Sequence, residues 1–331
     1  VGGGKKAGIL AVKDPALRDK LVRFKKSLAD DVRKESEKLE RESCMKIYYK
    51  TPGVRLFNGD AVEVLDKLPD KSVDLIFADP PYNLSNDGFS CHAGKRVNVN
   101  KGEWDKSRGI EKDYEFHYNW IQACCRVLKD NGSLWVSGTY HSIYACGFAL
   151  QRQGWHLLNE ICWYKPNAAP NLACRMFAAS HETLLWARKT KKAKHKFNYQ
   201  LMKKTEWAGD FIKKPDKQMR SVWAINTPKN GEKKYGKHPT QKPESLLERL
   251  VLACTNENDI VLDPFCGSGT TGVVALRNGR NFVGIDFEKE YLSKMAIKRI
   301  NDVLEKRKIL VVNHVLKEEY SAYFEELFAD L

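Results

Sequence analysis

Apolar and polar positions along this chain follow two rhythms, and the switches between them mark its elements. Val54-Arg-Leu-Phe57 is a strand-like run ahead of a helical stretch, Ala61–Leu68. Ser72-Val-Asp-Leu-Ile-Phe-Ala78 is a second run, apolar apart from Asp74, and it stops at Asp79-Pro80. Helical spacing over about 113–129 leads through Asn131-Gly132 to a strand, Ser133–Ser137, and a helix over about 141–152 ends before Gly154. His156–Tyr164 and Glu182–Ala187 read as strands. A second regular block runs helix Pro243–Cys254, strand Ile260–Asp263, helix Thr270–Arg277, strand Asn281–Asp286 and a helix from about Lys289 to Lys306. Strands alternating with helices at this spacing predict a mostly parallel α/β sheet.

Three stretches break the rhythm. Residues 13–45 are dense in charge, with Leu17, Leu21, Phe24, Leu28 and Val32 three or four apart, which predicts an amphipathic helical arm over 1–45. Between the regular blocks, Lys189–Lys237 is rich in Lys, Trp and Asn and has no clear period. The expected organisation is a main domain over 46–308 followed by a tail, 309–331. The domain divides into a first half, 46–165, an insert at about 166–237, and a second half, 238–308.

Composition narrows the class. Hydrophobic residues make up 42% of the 331, enough for a full core without staples. Lys and Arg number 56 against 42 Asp and Glu, a formal net charge of +14. That excess fits a polyanionic partner such as DNA, although a merely soluble basic protein would have it too. The nine cysteines form no C-x-x-C pair, and Cys91-His92 lacks companion ligands, so no metal is expected and the thiols read as reduced and cytoplasmic. No apolar run reaches the length of a membrane span, and no signal-peptide core is evident.

Chemistry enters at two loops. Ile260-Val-Leu-Asp263-Pro-Phe-Cys-Gly267-Ser-Gly269-Thr-Thr-Gly272 is a strand, a glycine turn and a helix start. Gly267 and Gly269 permit a tight turn and close approach of a ligand to the backbone. Asp286, at the next strand's end, is placed to take ribose hydroxyls, or to cap the following helix. The pattern also satisfies a dinucleotide fingerprint. Asp263 before the glycines separates the two readings, because a carboxylate suits the cationic sulfonium end of S-adenosyl-L-methionine and would repel a pyrophosphate.

Asp79-Pro80-Pro81-Tyr82 ends the other strand. An exocyclic base amine is a poor nucleophile because its lone pair is delocalised into the ring. Two fixed acceptors, the Asp79 carboxylate and the Pro80 carbonyl, could hold both N–H groups and turn the lone pair towards a methyl donor. Successive prolines pre-position such acceptors, and Tyr82 offers a face on which a flipped base could stack. An isolated Asp-Pro-Pro would serve equally as a turn.

With these two loops stand Lys101-Gly-Glu-Trp-Asp105, Pro170-Asn-Leu-Ala-Cys-Arg175, Glu182-Thr-Leu-Leu-Trp-Ala-Arg188 and Lys237-His-Pro-Thr-Gln-Lys-Pro243. Over about 46–308 the chain resembles the beta-class DNA amino-methyltransferases of restriction–modification systems, and among them the DpnA-like N6-adenine methyltransferases. The resemblance implies a Rossmann-like, seven-stranded, mostly parallel sheet in permuted order, with the catalytic loop first, a target-recognition insert next and the cofactor loop last. It implies transfer of a methyl group from S-adenosyl-L-methionine to N6 of a flipped adenine in GATC, and a homodimer. By the same resemblance, Asp60, Ala61, Asp79, His238, Thr240, Gln241, Lys242, Asp263, Phe265, Gly267, Ser268, Gly269, Asp286 and Phe287 would surround the cofactor. DNA contacts would come from Lys95, Arg96, Lys101 and Trp104 after the catalytic loop, and from Asn167, Asn171, Arg175, Lys203 and Lys204 in the insert. N4-cytosine methylation and a non-catalytic DNA-binding module on the same fold stay open at this level.

Overall fold

The computed structural model describes residue 23 and residues 47–83, 85, 89–92, 95–98, 105–171, 174–205, 207 and 217–307. The chain divides into two units, Val1–Lys46 and Ile47–Leu331. Of the first unit only Arg23 is described, in a helix, so the predicted arm lies outside the described residues, as does the predicted tail.

In chain order the second unit contains β1 Ile47–Thr51, β2 Val54–Asn58, α1 Ala61–Lys67, β3 Val73–Ala78, β4 Phe89–His92, β5 Lys95–Asn98, α2 Ile110–Val127, β6 Leu128–Gly138, α3 Ile143–Arg152, β7 His156–Tyr164 and β8 His181–Arg188. Then come α4 Tyr199–Lys204, β9 Val222–Ala224, α5 Glu244–Cys254, β10 Ile260–Asp263, α6 Thr270–Arg277 and β11 Asn281–Asp286. A last helix, α7, covers 289–307 and contains a π-helical stretch at Leu292–Ala296.

The main sheet has the order β1-β2-β11-β10-β3-β6-β8-β7-β9. From β2 to β6 every pairing is parallel, and β8 and β7 add an antiparallel hairpin. These are the seven strands expected, but the sheet has nine. β1 folds back antiparallel on β2, and the three-residue β9 pairs parallel with β7. β9 is too short to show a period, and β1, as long as β2, has no fully buried position to mark one.

β3 is buried at all six positions. Leu75 and Phe77 pack into one core cluster with Leu246, Leu250, Val274 and Ile300, while Ile76 between them is equally buried. Both faces of the central strands are therefore covered, as a parallel sheet requires. The exception is Asp74, 2% exposed, which accepts from Lys129, Lys196 and the Ile260 N–H. α2 ends two residues earlier than its spacing predicts, because Leu128 already pairs with Val73 and 129–132 bulge before Ser133 meets Leu75. Among the described residues, no helix is long and apolar enough to cross a membrane.

Candidate active site

β3 and β10 run side by side, with Val261 opposite Leu75 and Leu262 opposite Ile76. From β10 the sheet continues through β11, and from β3 through β6, so strand order reverses between them. A crevice opens at the carboxyl ends of strands at such a switch point. Here it is a cavity of about 600 Å³, within the range of small-molecule sites. The loops after both strands reach it, and so does the start of α1. Asp60, Ala61, Asp79, Pro81, His238, Thr240, Phe265, Gly267, Asp286 and Phe287 all line it.

The glycine loop has its shape for a local reason. Gly267 adopts φ +47°, and a Cβ there would stand 2.9 Å from His238 Nε2. Its N–H donates to Asp286 Oδ2 at 2.6 Å, while the Glu288 N–H donates to Oδ1 at 2.8 Å. Asp286 thus clamps the loop and caps the following segment while lining the cavity. Burial raises its carboxyl to about 6, against the pull of those two N–H groups. Asp60 also combines roles, accepting from Val62 and Glu63 N–H as the cap of α1.

Five predicted cofactor residues do not line the cavity. Asp263 is turned into the protein, 3% exposed, where it accepts from Phe265 N–H and the Thr271 hydroxyl. Burial pushes it up to about 7, so it braces the loop from behind. Ser268 bonds Thr270 and the buried Arg299. Gly269, at φ +75°, abuts α7, and a Cβ there would come 2.8 Å from that of Ala296. The Gln241 amide donates to the Glu232 carbonyl. Lys242, 4% exposed, reaches Asp79 Oδ2 at 2.6 Å rather than the cavity.

The Asp79–Tyr82 loop is held from beneath. Asp105, fully buried, accepts from the N–H groups of Tyr82 and Asn83 at 2.8 and 2.9 Å and from the Ser85 hydroxyl. Pro80 is buried and Pro81 lines the cavity. Tyr82 departs from the stacking role expected of it. Its ring is 3% exposed with the Lys242 ammonium 5.0 Å from its centre, and its hydroxyl donates to Asp79 Oδ1 at 2.5 Å. In this arrangement Tyr82 orients Asp79 and presents no open face to a base.

Sequence reasoning missed a third wall, formed by Lys106, Ser107, Arg108, Asp113 and Phe116 at the start of α2, with Tyr291 beside His238. No motif marks these residues. The one usable signal was Phe116 and Trp120, four apart on α2, whose rings both meet Phe265.

The predicted DNA residues scatter. Lys95 and Arg96 lie on β5, paired with β4 in a separate hairpin, and Lys101 and Trp104 lie outside the described residues. Asn167 is exposed and pairs with Thr227, giving and accepting one hydrogen bond each. The side-chain Oδ1 of Asn171 is buried and unpaired. Arg175 is exposed, and Lys203 and Lys204 end α4. Among the described residues no cluster of His, Cys, Asp and Glu could hold a metal.

Comparison with known proteins returns a consistent set. The pattern of a family described as DNA methylase matches residues 73–299. Type II methyltransferase M2.LlaDCHI of Lactococcus lactis subsp. cremoris is 52% identical over 257 residues, 77% of this chain and 92% of that protein. Type II methyltransferase M2.DpnII of Streptococcus pneumoniae is 52% identical over 256 residues, with the same coverages. Among solved structures, the M1.HpyAVI–SAM complex is 30% identical with a TM-score of 0.52, covering 75% of this chain and 99% of that one. The PvuII cytosine-N4-specific DNA methyltransferase, 20% identical at TM-score 0.59 over 80% of this chain and 95% of its own, shares the fold.

Proposed function

The chain belongs to the DNA methylase family, and from that premise we propose that it transfers a methyl group from S-adenosyl-L-methionine to N6 of a flipped adenine in GATC, within a restriction–modification system. The observation that carries this reading is the meeting of Asp79 with Asp60, Asp286 and the Gly267 turn around one cavity at the β3–β10 switch point. The donor set suits the cofactor. Asp60, Asp79, Asp113, Asp286 and Glu288 line the cavity against Lys106 and Arg108, a balance that favours a cationic sulfonium and disfavours a dinucleotide pyrophosphate. Phe265 and Phe287 offer apolar rings to a purine.

When bound, S-adenosyl-L-methionine supplies an electrophilic methyl group. The residues of this chain supply orientation. Asp79 and the Pro80 carbonyl accept the two N–H groups of the target amine, so its lone pair points along one line, and the buried loop keeps water out. Pro80 and Pro81 stiffen that loop, and Asp105 and Tyr82 fix its register. No covalent enzyme–base bond is needed, and burial holds the thiols of Cys124, Cys146 and Cys266 well above their ordinary value.

In this reading 46–165 is the catalytic half, 166–237 the target-recognition region and 238–308 the cofactor half, with Arg175, Lys203 and Lys204 facing DNA. The homodimer implied by the resemblance belongs to the same reading, and sedimentation would test it. The decisive experiment supplies labelled S-adenosyl-L-methionine and duplexes that differ only in GATC. N6-methyladenine confined to GATC duplexes is the expected product. N4-methylcytosine, or label independent of GATC, would overturn the assignment.

A further inference from the structure

Behind Asp79, away from the cavity, lies a row of buried ionisable side chains to which methyl transfer as described gives no task. Lys242 Nζ stands 2.6 Å from Asp79 Oδ2 and 3.6 Å from Glu182 Oε2. Lys165 Nζ holds the other Glu182 oxygen at 3.1 Å. The side chains of all four are between 4% and 15% exposed. Between the two carboxylates sits the Tyr82 hydroxyl, 2.5 Å from Asp79 Oδ1, 3.0 Å from Glu182 Oε2 and 2.9 Å from Ser137 Oγ. A phenol has one proton, so it can donate to only one carboxylate at a time. The ammonium is likewise within reach of both. Burial of ions this far from water is unfavourable unless each is paired, and Lys242 closes the pairing from the His238–Pro243 segment.

We propose that Lys242 and Glu182 are positioning residues for methyl transfer: Lys242 holds the Asp79 carboxylate towards the cavity, then shifts to Glu182 as the target amine takes its place on Asp79. This rests on Asp79 being the acceptor for the target amine. An ammonium on Oδ2 competes with the amine for that carboxylate. The second anchor only 1 Å further off (3.6 against 2.6 Å) lets it withdraw without losing an anionic partner. Lys165 keeps that anchor still. Glu182 comes from β8, which does not line the cavity, and Lys242 from the segment before α5, whose His238 and Thr240 do.

Four groups face Asp79: Lys242, Glu182, Tyr82 of its own loop, and Asp263 at the end of β10. Lys242 favours the ionised carboxylate, whereas burial, Glu182 and Asp263 favour the protonated one. Removing Lys242 must therefore move the acidic limb of the transfer rate to higher pH, and removing the charge of Glu182 must move it to lower pH. A purely structural role would not produce opposite shifts.

The test is single-turnover transfer of labelled methyl at saturating cofactor and DNA, followed against pH, with cofactor affinity and melting temperature measured alongside. Lys242→Met is expected to slow transfer roughly 10²-fold with little change in cofactor affinity and an upward limb. Glu182→Gln is expected to slow it roughly tenfold with a downward limb. Limbs that stay put, or move together, overturn the proposal. Should Lys242→Met fail to fold, Glu182→Gln decides alone: a downward shift supports the proposal, and no shift or an upward one overturns it. The identity of the wild-type product separates the two readings. N4-methylcytosine would sink the adenine assignment while the opposed shifts are still read on that base.

Discussion

Asp286 joins two roles in one side chain. It pins the Gly267 turn and also faces the cavity, and burial lifts it to about 6. Only its ionised form accepts strongly from hydroxyls and attracts a cation. Affinity for S-adenosyl-L-methionine is therefore expected to strengthen as pH rises through about 6, and Asp286→Asn should flatten that dependence in a calorimetric titration. An equal slope in both proteins would remove Asp286 from the site. Stability runs the other way. The folded value lies above the unfolded one, so the folded state binds the extra proton and this residue's contribution declines as pH rises from the ordinary Asp range to about 6. Asp286 was legible in the sequence because it ends a strand. Asp263 ends one too, yet it turns inward to Thr271. Which way a strand-end carboxylate points depends on the donors packed behind it, and those come from residues remote in sequence. Lys242 misled for the same reason.

At the level of elements, the Asp79–Tyr82 loop is tied to the segment before α2 through one buried carboxylate. Asp105→Ala strands the N–H groups of Tyr82 and Asn83, each at a cost of about 1–3 kcal/mol if it stays buried. Methyl transfer should fall at least tenfold, and thermal melts should show a lower midpoint. Asp105→Asn should be milder, because its amide oxygen can still accept both N–H groups while its NH₂ donates to Ser85. Equal damage from the two variants would refute this account of the loop. The alternating α/β blocks were readable because the central strands β3 and β10 are near-continuous apolar runs, covered on both faces. β1 and β9 were not, since short edge strands take their pairing from neighbours rather than from their own pattern. The wall at the start of α2 escaped notice because its cavity-lining side chains, Arg108 and Asp113 among them, belong to residue types ordinary on any helix surface.

The whole molecule carries a net charge of +14, and a basic surface engages DNA through phosphates before it reads any base. Affinity for a duplex lacking the target should fall roughly 10³-fold between about 50 and 200 mM salt, the loss associated with about six phosphate contacts. Cofactor affinity should change little, since its cavity is partly enclosed. Fluorescence anisotropy against log salt tests both, and a flat DNA curve would dissociate the charge from DNA binding. The permuted order was legible from the two loops, and it has a cost in time. The central pair of the sheet joins β3 to β10, and Asp74 accepts from Ile260 across 186 positions. Closing so long a loop is entropically slow. The cavity at the switch point therefore cannot assemble before β10 has been made, and a nascent chain that has not yet emerged past β10 has no competence to mark the genome of the cell that is making it.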